Sequence, residues 1–234
     1  MGAIYRREMG AFFSSAIAYI FLGVFFAISG FFFVNSTLAY ATTDLTGTFG
    51  SIFLILVFLI PLMTMKLFSE EKRQRTEQGL LTAPIGLTSI VLGKYFAALT
   101  LYTIGISIFL VFGLILEFFG TVAWASVLSN FVALFFLGAA FIAVTLFVST
   151  LTENQVISAI LGFLSLLVLY LMDSIASAIS VEFISDILKT LSFYSRYNEF
   201  VTGLFNLSSV LFFVSVAVVF NFLSVRVFEK RRWS

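Results

Sequence analysis

Six stretches of this chain, each 17 to 22 residues long, carry no Asp, Glu, Lys or Arg away from their ends. They are residues 17–34, 51–67, 95–116, 127–148, 156–172 and 207–225. An α-helix rises 1.5 Å per residue, so about 20 apolar residues cross the roughly 30 Å of hydrocarbon in a bilayer. Inside hydrocarbon a backbone must satisfy its own hydrogen bonds, which a helix does. The pattern therefore predicts an all-α, polytopic membrane protein with six transmembrane helices. Composition agrees: 61% of the chain is hydrophobic and only 11% charged, against about 25% charged in a soluble domain.

There is no Cys and no His. Disulfides, thiolate chemistry, His-based proton relays and His or Cys metal sites are excluded with them. The first apolar run is too long for a signal-peptide core and lacks a small-residue cleavage site after it, so no cleaved leader is expected.

The segments between the runs carry the rest of the information. Residues 1–15 place Arg6, Arg7 and Glu8 beside Ile4, Tyr5, Met9, Phe12 and Phe13, which predicts an interfacial helix on the membrane surface. Pro61 lies inside the second run and predicts a kink there. Trp124 sits at the turn between the third and fourth runs, where interfacial aromatics belong. Thr152, Glu153 and Asn154 are helix-start residues for the fifth run. In residues 173–206, Val181, Ile184, Ile187, Leu188 and Leu191 share one helical face, and Tyr197, Phe200, Val201, Leu204 and Phe205 another, which predicts two short amphipathic outer helices.

Residues 69–94 stand apart. Glu70, Glu71, Lys72, Arg73, Arg75 and Glu77 fall within eight residues, too many charges for hydrocarbon. Leu80, Leu81, Pro84, Ile85, Leu87, Ile90, Val91 and Leu92 follow, an apolar surface that needs a partner. The expectation is a short helix in water that docks on another protein; the alternative is a plain solvated loop. With this segment inside the cell, eleven of the thirteen Lys and Arg lie inside, and only Lys189 and Arg196 outside. Six crossings, with both termini in the cytoplasm, satisfy the positive-inside rule.

The spans offer little chemistry. An ion-coupled carrier generally needs ionisable groups near the midplane, and none is present. The polar residues within spans, among them Thr64, Thr100, Ser158, Asn130 and Asn221, read either as helix packing or as a lined path. Asn130 and Asn221 are the candidates for a path, since an amide in hydrocarbon needs a partner. No phosphate-binding loop is visible: Gly86 to Lys94 has the wrong spacing, and Tyr95 stands where Ser or Thr belongs. Nor is there a carboxylate pair or nucleophile elbow, so no catalytic residue and no cofactor are assigned.

Glu70-Glu71-Lys72-Arg73-Gln74, Thr76, Leu80-Leu81-Thr82-Ala83-Pro84 and Ile90-Val91-Leu92-Gly93-Lys94 together resemble the first cytoplasmic loop of ABC transporter permeases of the type-2 exporter class. The likeness is to the small six-span bacterial permeases of the gliding-motility group, and extends to Tyr5-Arg6-Arg7-Glu8, Leu151-Thr152-Glu153-Asn154-Gln155 and Glu229-Lys230-Arg231-Arg232-Trp233. The resemblance implies an inner-membrane subunit of an ATP-driven exporter. Two such subunits, identical or related, would form the substrate pathway within membrane lipid. Separate cytoplasmic ABC ATPase subunits would hold the ATP and Mg²⁺, and no nucleic acid is involved. It also implies that the loop at 69–94 holds a coupling helix seated in the ATPase, with Glu70, Glu71, Lys72, Arg73, Thr76 and Pro84 as coupling residues. Related loops carry an acidic residue and three Leu before the Thr; here Gln78 and Gly79 intervene, and Glu77 joins the candidates. The competing readings are an ion channel or carrier, which needs pore-lining polarity, and a non-transporting membrane scaffold.

Overall fold

In the computed structural model, residues 1–76, 78–79, 85–179 and 181–233 are described. They form helices and no strands. α1 (Gly2–Ser14) precedes α2 (Ala16–Phe33), which ends in a π-helical turn, Val34–Leu38. α3 (Thr46–Thr64) and α4 (Lys66–Arg73) follow, then α5 (Leu87–Ile106), α6 (Ile108–Glu117), α7 (Trp124–Leu151) and α8 (Gln155–Ala178). The short α9 (Glu182–Thr190) and α10 (Phe193–Val201) lead to α11 (Leu207–Trp233).

Six stretches of helix are long and apolar enough to cross a membrane: Ala16–Leu38, Thr46–Arg73, Leu87–Glu117, Trp124–Leu151, Gln155–Ala178 and Leu207–Arg231. All reach beyond the apolar runs of the sequence, because a helix need not stop where hydrocarbon does. Thr46–Arg73, at 28 residues, is about 42 Å long, so its last turns stand clear of a 30 Å core. The segment 69–94 is accordingly not one insert. Its charged start is the end of span two, and Leu87 onward already belongs to span three.

That shift changes the fate of the apolar residues expected to dock on a partner. Leu87, Ile90 and Val91 are buried within the chain's own core, because they belong to the first turns of span three. Leu80, Leu81 and Pro84 lie outside the described residues.

Pro61 sits inside α3, its Cβ packed 3.2 Å from the position that a Cβ on Gly162 of α8 would occupy. The break in span two falls not at Pro61 but one turn later, at Met65, between α3 and α4. There Ser149 of α7 inserts into the ladder: its hydroxyl accepts from the amides of Phe68 (3.2 Å) and Ser69 (3.3 Å) and donates to the Met65 carbonyl (3.1 Å). A side chain that bridges a broken ladder satisfies groups that hydrocarbon cannot.

Span four is the hub, with 72% of its apolar window buried, whereas span five buries only 17%. Membrane helices approach closely where residues are small, and α7 carries Gly138, Ala139, Ala140 and Ala143, all buried. Tyr102 of α5 lies against Gly138 and donates its hydroxyl to the Leu134 carbonyl at 2.7 Å. At the end of the bundle away from α1, Phe193, Tyr197, Phe200 and Val201 of α10 are buried. Tyr197 reaches down to donate to the Phe49 carbonyl at 2.8 Å and packs on Phe53. α10 is thus part of the core, while Leu204 and Phe205, expected on the same face, are exposed. Ile187 of α9 and the residues that flank it, Val181 and Leu191, are exposed.

A methyl added at Gly138 would stand 2.1 Å from the Tyr102 ring. Gly138→Ala is expected to cost about 1–3 kcal/mol through overpacking and to lower the thermal midpoint of the purified chain. Gly23→Ala, with nothing within 4 Å, is expected to leave it unchanged.

Candidate functional site

α1 buries Ile4, Glu8 and Phe12, a stripe at intervals of four with a carboxylate in its middle. It lies across the start of α5, where Gly93 admits it: a Cβ there would come within 2.9 Å of Ile4. The next residue, Lys94, is 1% exposed. A buried ammonium demands three acceptors. Lys94 Nζ has them: Glu8 Oε1 at 3.0 Å, Glu71 Oε1 at 3.0 Å and the Leu67 carbonyl at 2.7 Å. Its charge also lies 5.1 Å from the Phe68 ring centroid.

Arg7 closes the cluster. Its Nη2 donates to Glu8 Oε1 at 2.6 Å and to Glu71 Oε1 at 2.5 Å. Burial alone would lower the pKa of this guanidinium, but the two carboxylates outweigh it and hold the group more firmly charged than usual. Two cations and two anions cancel, so the cluster is neutral, and it joins three separate elements: α1, the end of span two and the start of span three. A cleft of about 550 Å³ opens beside it, between α1 and α4, also lined by Lys66, Glu70 and Gln74.

On its other flank α4 is tied to the connection between spans four and five. Gln155 Nε2 donates to Glu70 Oε2 at 2.6 Å, and Lys72 Nζ lies 3.1 Å from Glu153 Oε1. Asn154 caps α8, its Oδ1 accepting from the amides of Val156 and Ile157. Arg231 of α11 donates to the Thr150 carbonyl nearby. α4 then ends in a Schellman closure, with the Thr76 amide on the Glu71 carbonyl (3.0 Å) and the Arg75 amide on that of Lys72 (3.1 Å). Arg75 takes the left-handed conformation (φ 58°) that glycine usually fills.

Of the residues expected to couple to a partner, then, Glu70, Glu71 and Lys72 are engaged within the chain. Arg73, Gln74, Arg75 and Thr76 are exposed at the tip. Glu77 and Pro84 lie outside the described residues. Sequence reasoning missed Glu8, Lys94, Ser149 and Gln155. A signal existed for two of them: Glu8 interrupts an apolar stripe at helical spacing, and Lys94 is a lone charge directly before 22 uncharged residues.

Asn130 and Asn221 are not brought together. Each spends its amide donor on its own helix, on the carbonyls of Ser126 (3.0 Å) and Ala217 (2.8 Å) respectively. Each leaves Oδ1 buried without a partner among the described residues, at a usual cost of about 1–3 kcal/mol. Asn221 lines an apolar groove between α5, α7 and α11; Asn130 is not on it. Among the described residues no group of three or more acidic side chains is placed to hold a metal ion.

Residues 6–169 match a family model described as ABC-2 family transporter protein. No curated protein sequence matches the chain significantly.

Removing one partner of a buried ion pair costs about 3–5 kcal/mol, because it strands the other charge. Lys94→Met is therefore expected to lower the thermal midpoint sharply. The double variant Lys94→Met with Glu8→Gln is expected to recover part of the loss, as measured by thermal unfolding in a double-mutant cycle.

Proposed function

The chain belongs to the ABC-2 transporter family and is a multi-pass permease component of an ABC transporter, and from that premise we propose that it forms the membrane half of an ATP-driven exporter. Permeases of this family generally partner with an ABC ATPase. On this reading the ATPase subunits bind ATP and Mg²⁺ in the cytoplasm and meet the exposed tip of α4, at Arg73, Gln74, Arg75 and Thr76, together with Glu77 and Pro84. The observation that carries the reading is the charge cluster. A load on α4 passes through Glu71 to Lys94 and Glu8, and so to span three and the interfacial helix. Through Glu70 and Lys72 it reaches Gln155 and Glu153, and so span five. Closure of the two ATPases would then tilt several spans together and switch the side to which the path opens. The spans lack midplane charges, which favours an amphiphilic, lipid-like or peptide cargo over a small ion.

Both termini and the α4 tip are assigned to the cytoplasm of a bacterial inner membrane, from the placement of eleven of thirteen cations on that side. The path is formed with a second permease subunit. Span five supports this, because Ile157, Leu161, Leu164, Val168, Leu171 and Ile175 are exposed and alternate spacings of four and three. That is the seam of a left-handed helix pair, and a second copy of the same seam complements it.

Arg73→Glu combined with Arg75→Glu is expected to reduce the ATPase retained by affinity-purified permease at least tenfold, while leaving thermal stability unchanged. Undiminished retention would defeat the coupling assignment.

The chain contains no Cys, so single cysteines report cleanly. Leu164→Cys is expected to give oxidative cross-linking into a dimer in membranes, and Val219→Cys, exposed on span six, none. Gln74→Cys is expected to react with an impermeant maleimide only after the cells are opened.

A further inference from the structure

The turn that joins spans three and four carries two widely exposed aromatic rings. Phe118 is 90% exposed and Phe119 76%, and apolar rings left open side by side call for something to cover them. The backbone that bears them is firmly held. The amides of Phe118, Phe119 and Gly120 close onto the carbonyls of Ile115 and Leu116 at 3.2, 2.9 and 3.0 Å. Gly120 lies so near the loop between spans one and two that a Cβ there would stand 3.1 Å from Thr43, whose hydroxyl donates to the Thr121 carbonyl at 3.1 Å. The rings are therefore presented by a fixed turn, not by a loose loop.

Trp124, the aromatic expected at this boundary, is packed against span three instead. Its ring lies 3.2 Å from the position of a Cβ on Gly113, and its Nε1 donates to Glu117 Oε2 at 2.9 Å. It clasps the two spans together and leaves the outward side to the phenylalanines. The depth of that side follows from the charges. Lys94 and Glu117 bracket 22 uncharged residues, a helical rise of about 34 Å, which matches roughly 30 Å of hydrocarbon. Val111, Leu114 and Ile115 are exposed along span three, and Phe118 continues their face at helical intervals of three and four. With Glu117 at the level where hydrocarbon ends, the two rings stand among the headgroups, next in line on a face that meets lipid.

We propose that Phe118 and Phe119 anchor span three in the boundary between headgroups and acyl chains, in the leaflet away from α1, where aromatic rings concentrate. On the topology proposed above that is the outer leaflet, and only the name of the leaflet rests on that reading. A lipid surface fits better than a protein. The patch is two rings wide, far smaller than the face a stable protein contact needs, and it runs on from the lipid-facing stripe without a change of character. Span three is thereby held at both ends. Phe118 and Phe119 fix it at one boundary and the Lys94 cluster with α1 fixes it at the other, so the hydrocarbon thickness between them sets how deep the charged end sits.

The test uses the full-length chain in phosphatidylcholine vesicles. Because the chain has no Cys, a nitroxide can be placed singly at Phe118→Cys, Phe119→Cys, Leu114→Cys or Gln74→Cys. Its relaxation by oxygen, which concentrates in hydrocarbon, is compared with that by a nickel chelate, which stays in water. Positions 118 and 119 are expected to fall between 114 and 74, with nickel contact about threefold below that at position 74. Phe118→Ser combined with Phe119→Ser is expected to lower the thermal midpoint in vesicles and leave it unchanged in detergent, and Phe118→Trp combined with Phe119→Trp to restore it. Nickel contact equal to that at position 74 would place the rings in water, and exclusion of both reagents would place them under a protein, a second copy included; either result overturns the proposal. So does an equal loss of midpoint in detergent and vesicles, or no loss in vesicles. No ATPase enters these measurements, so the anchor and the exporter reading fail separately.

Discussion

A single ammonium group holds the charged end of this protein together. Lys94 is buried at the start of span three, where its ammonium donates to Glu8 of α1 and to the Leu67 carbonyl of α4 and pairs with Glu71 at the end of span two. A charge in so dry a place is tolerated only when it is fully matched, and Arg7 completes the match by bridging the same two carboxylates. α1 is therefore fixed to the rest of the chain by charge as well as by packing. Its position is set by a charge balance that α4 shares, so displacing α4 from α1 and span three would strand the buried Lys94 ammonium.

Span two joins this cluster to the core. It runs past the hydrocarbon and carries its charges on the same column of helix that packs the core at Ile52, Leu56 and Ile60. Its one discontinuity, at Met65, is bridged by Ser149 from the central span four. The break thus has a fixed partner in the helix that contacts most of the bundle, and α4 is connected to that hub by hydrogen bonds and to span five by Gln155.

The distribution of burial divides the molecule into a finished side and an unfinished one. Span four is enclosed, and around it Phe53 alone meets Phe141, Tyr170, Tyr194 and Tyr197. Span five covers little of itself and presents an apolar seam in regular register. The groove of spans three, four and six is different in kind, concave and aromatic with a polar mouth.

The six membrane-length helices and the two short helices between spans five and six were legible in the sequence, because hydrophobic runs and helical periodicity are local properties. So was the place of the charges at 70–73 beyond the apolar part of span two, since that density of charge must leave hydrocarbon. What the sequence did not disclose was which of those charges face outward. Glu70, Glu71 and Lys72 look equivalent to Arg73 in one dimension, yet Glu70, Glu71 and Lys72 turn to partners as far as 85 residues away while Arg73 stays exposed at the tip. The break at Met65 and not at Pro61, the burial of Tyr197, and the separation of Asn130 from Asn221 likewise depend on which helix lies beside which. Sequence by itself determined that the chain is a six-span helical membrane protein, because the bilayer acts on each run independently. Only the tertiary structure decided that Glu8, Glu71 and Lys94 form one unit, because ion pairing depends on distance in space and their separation along the chain carries no trace of it.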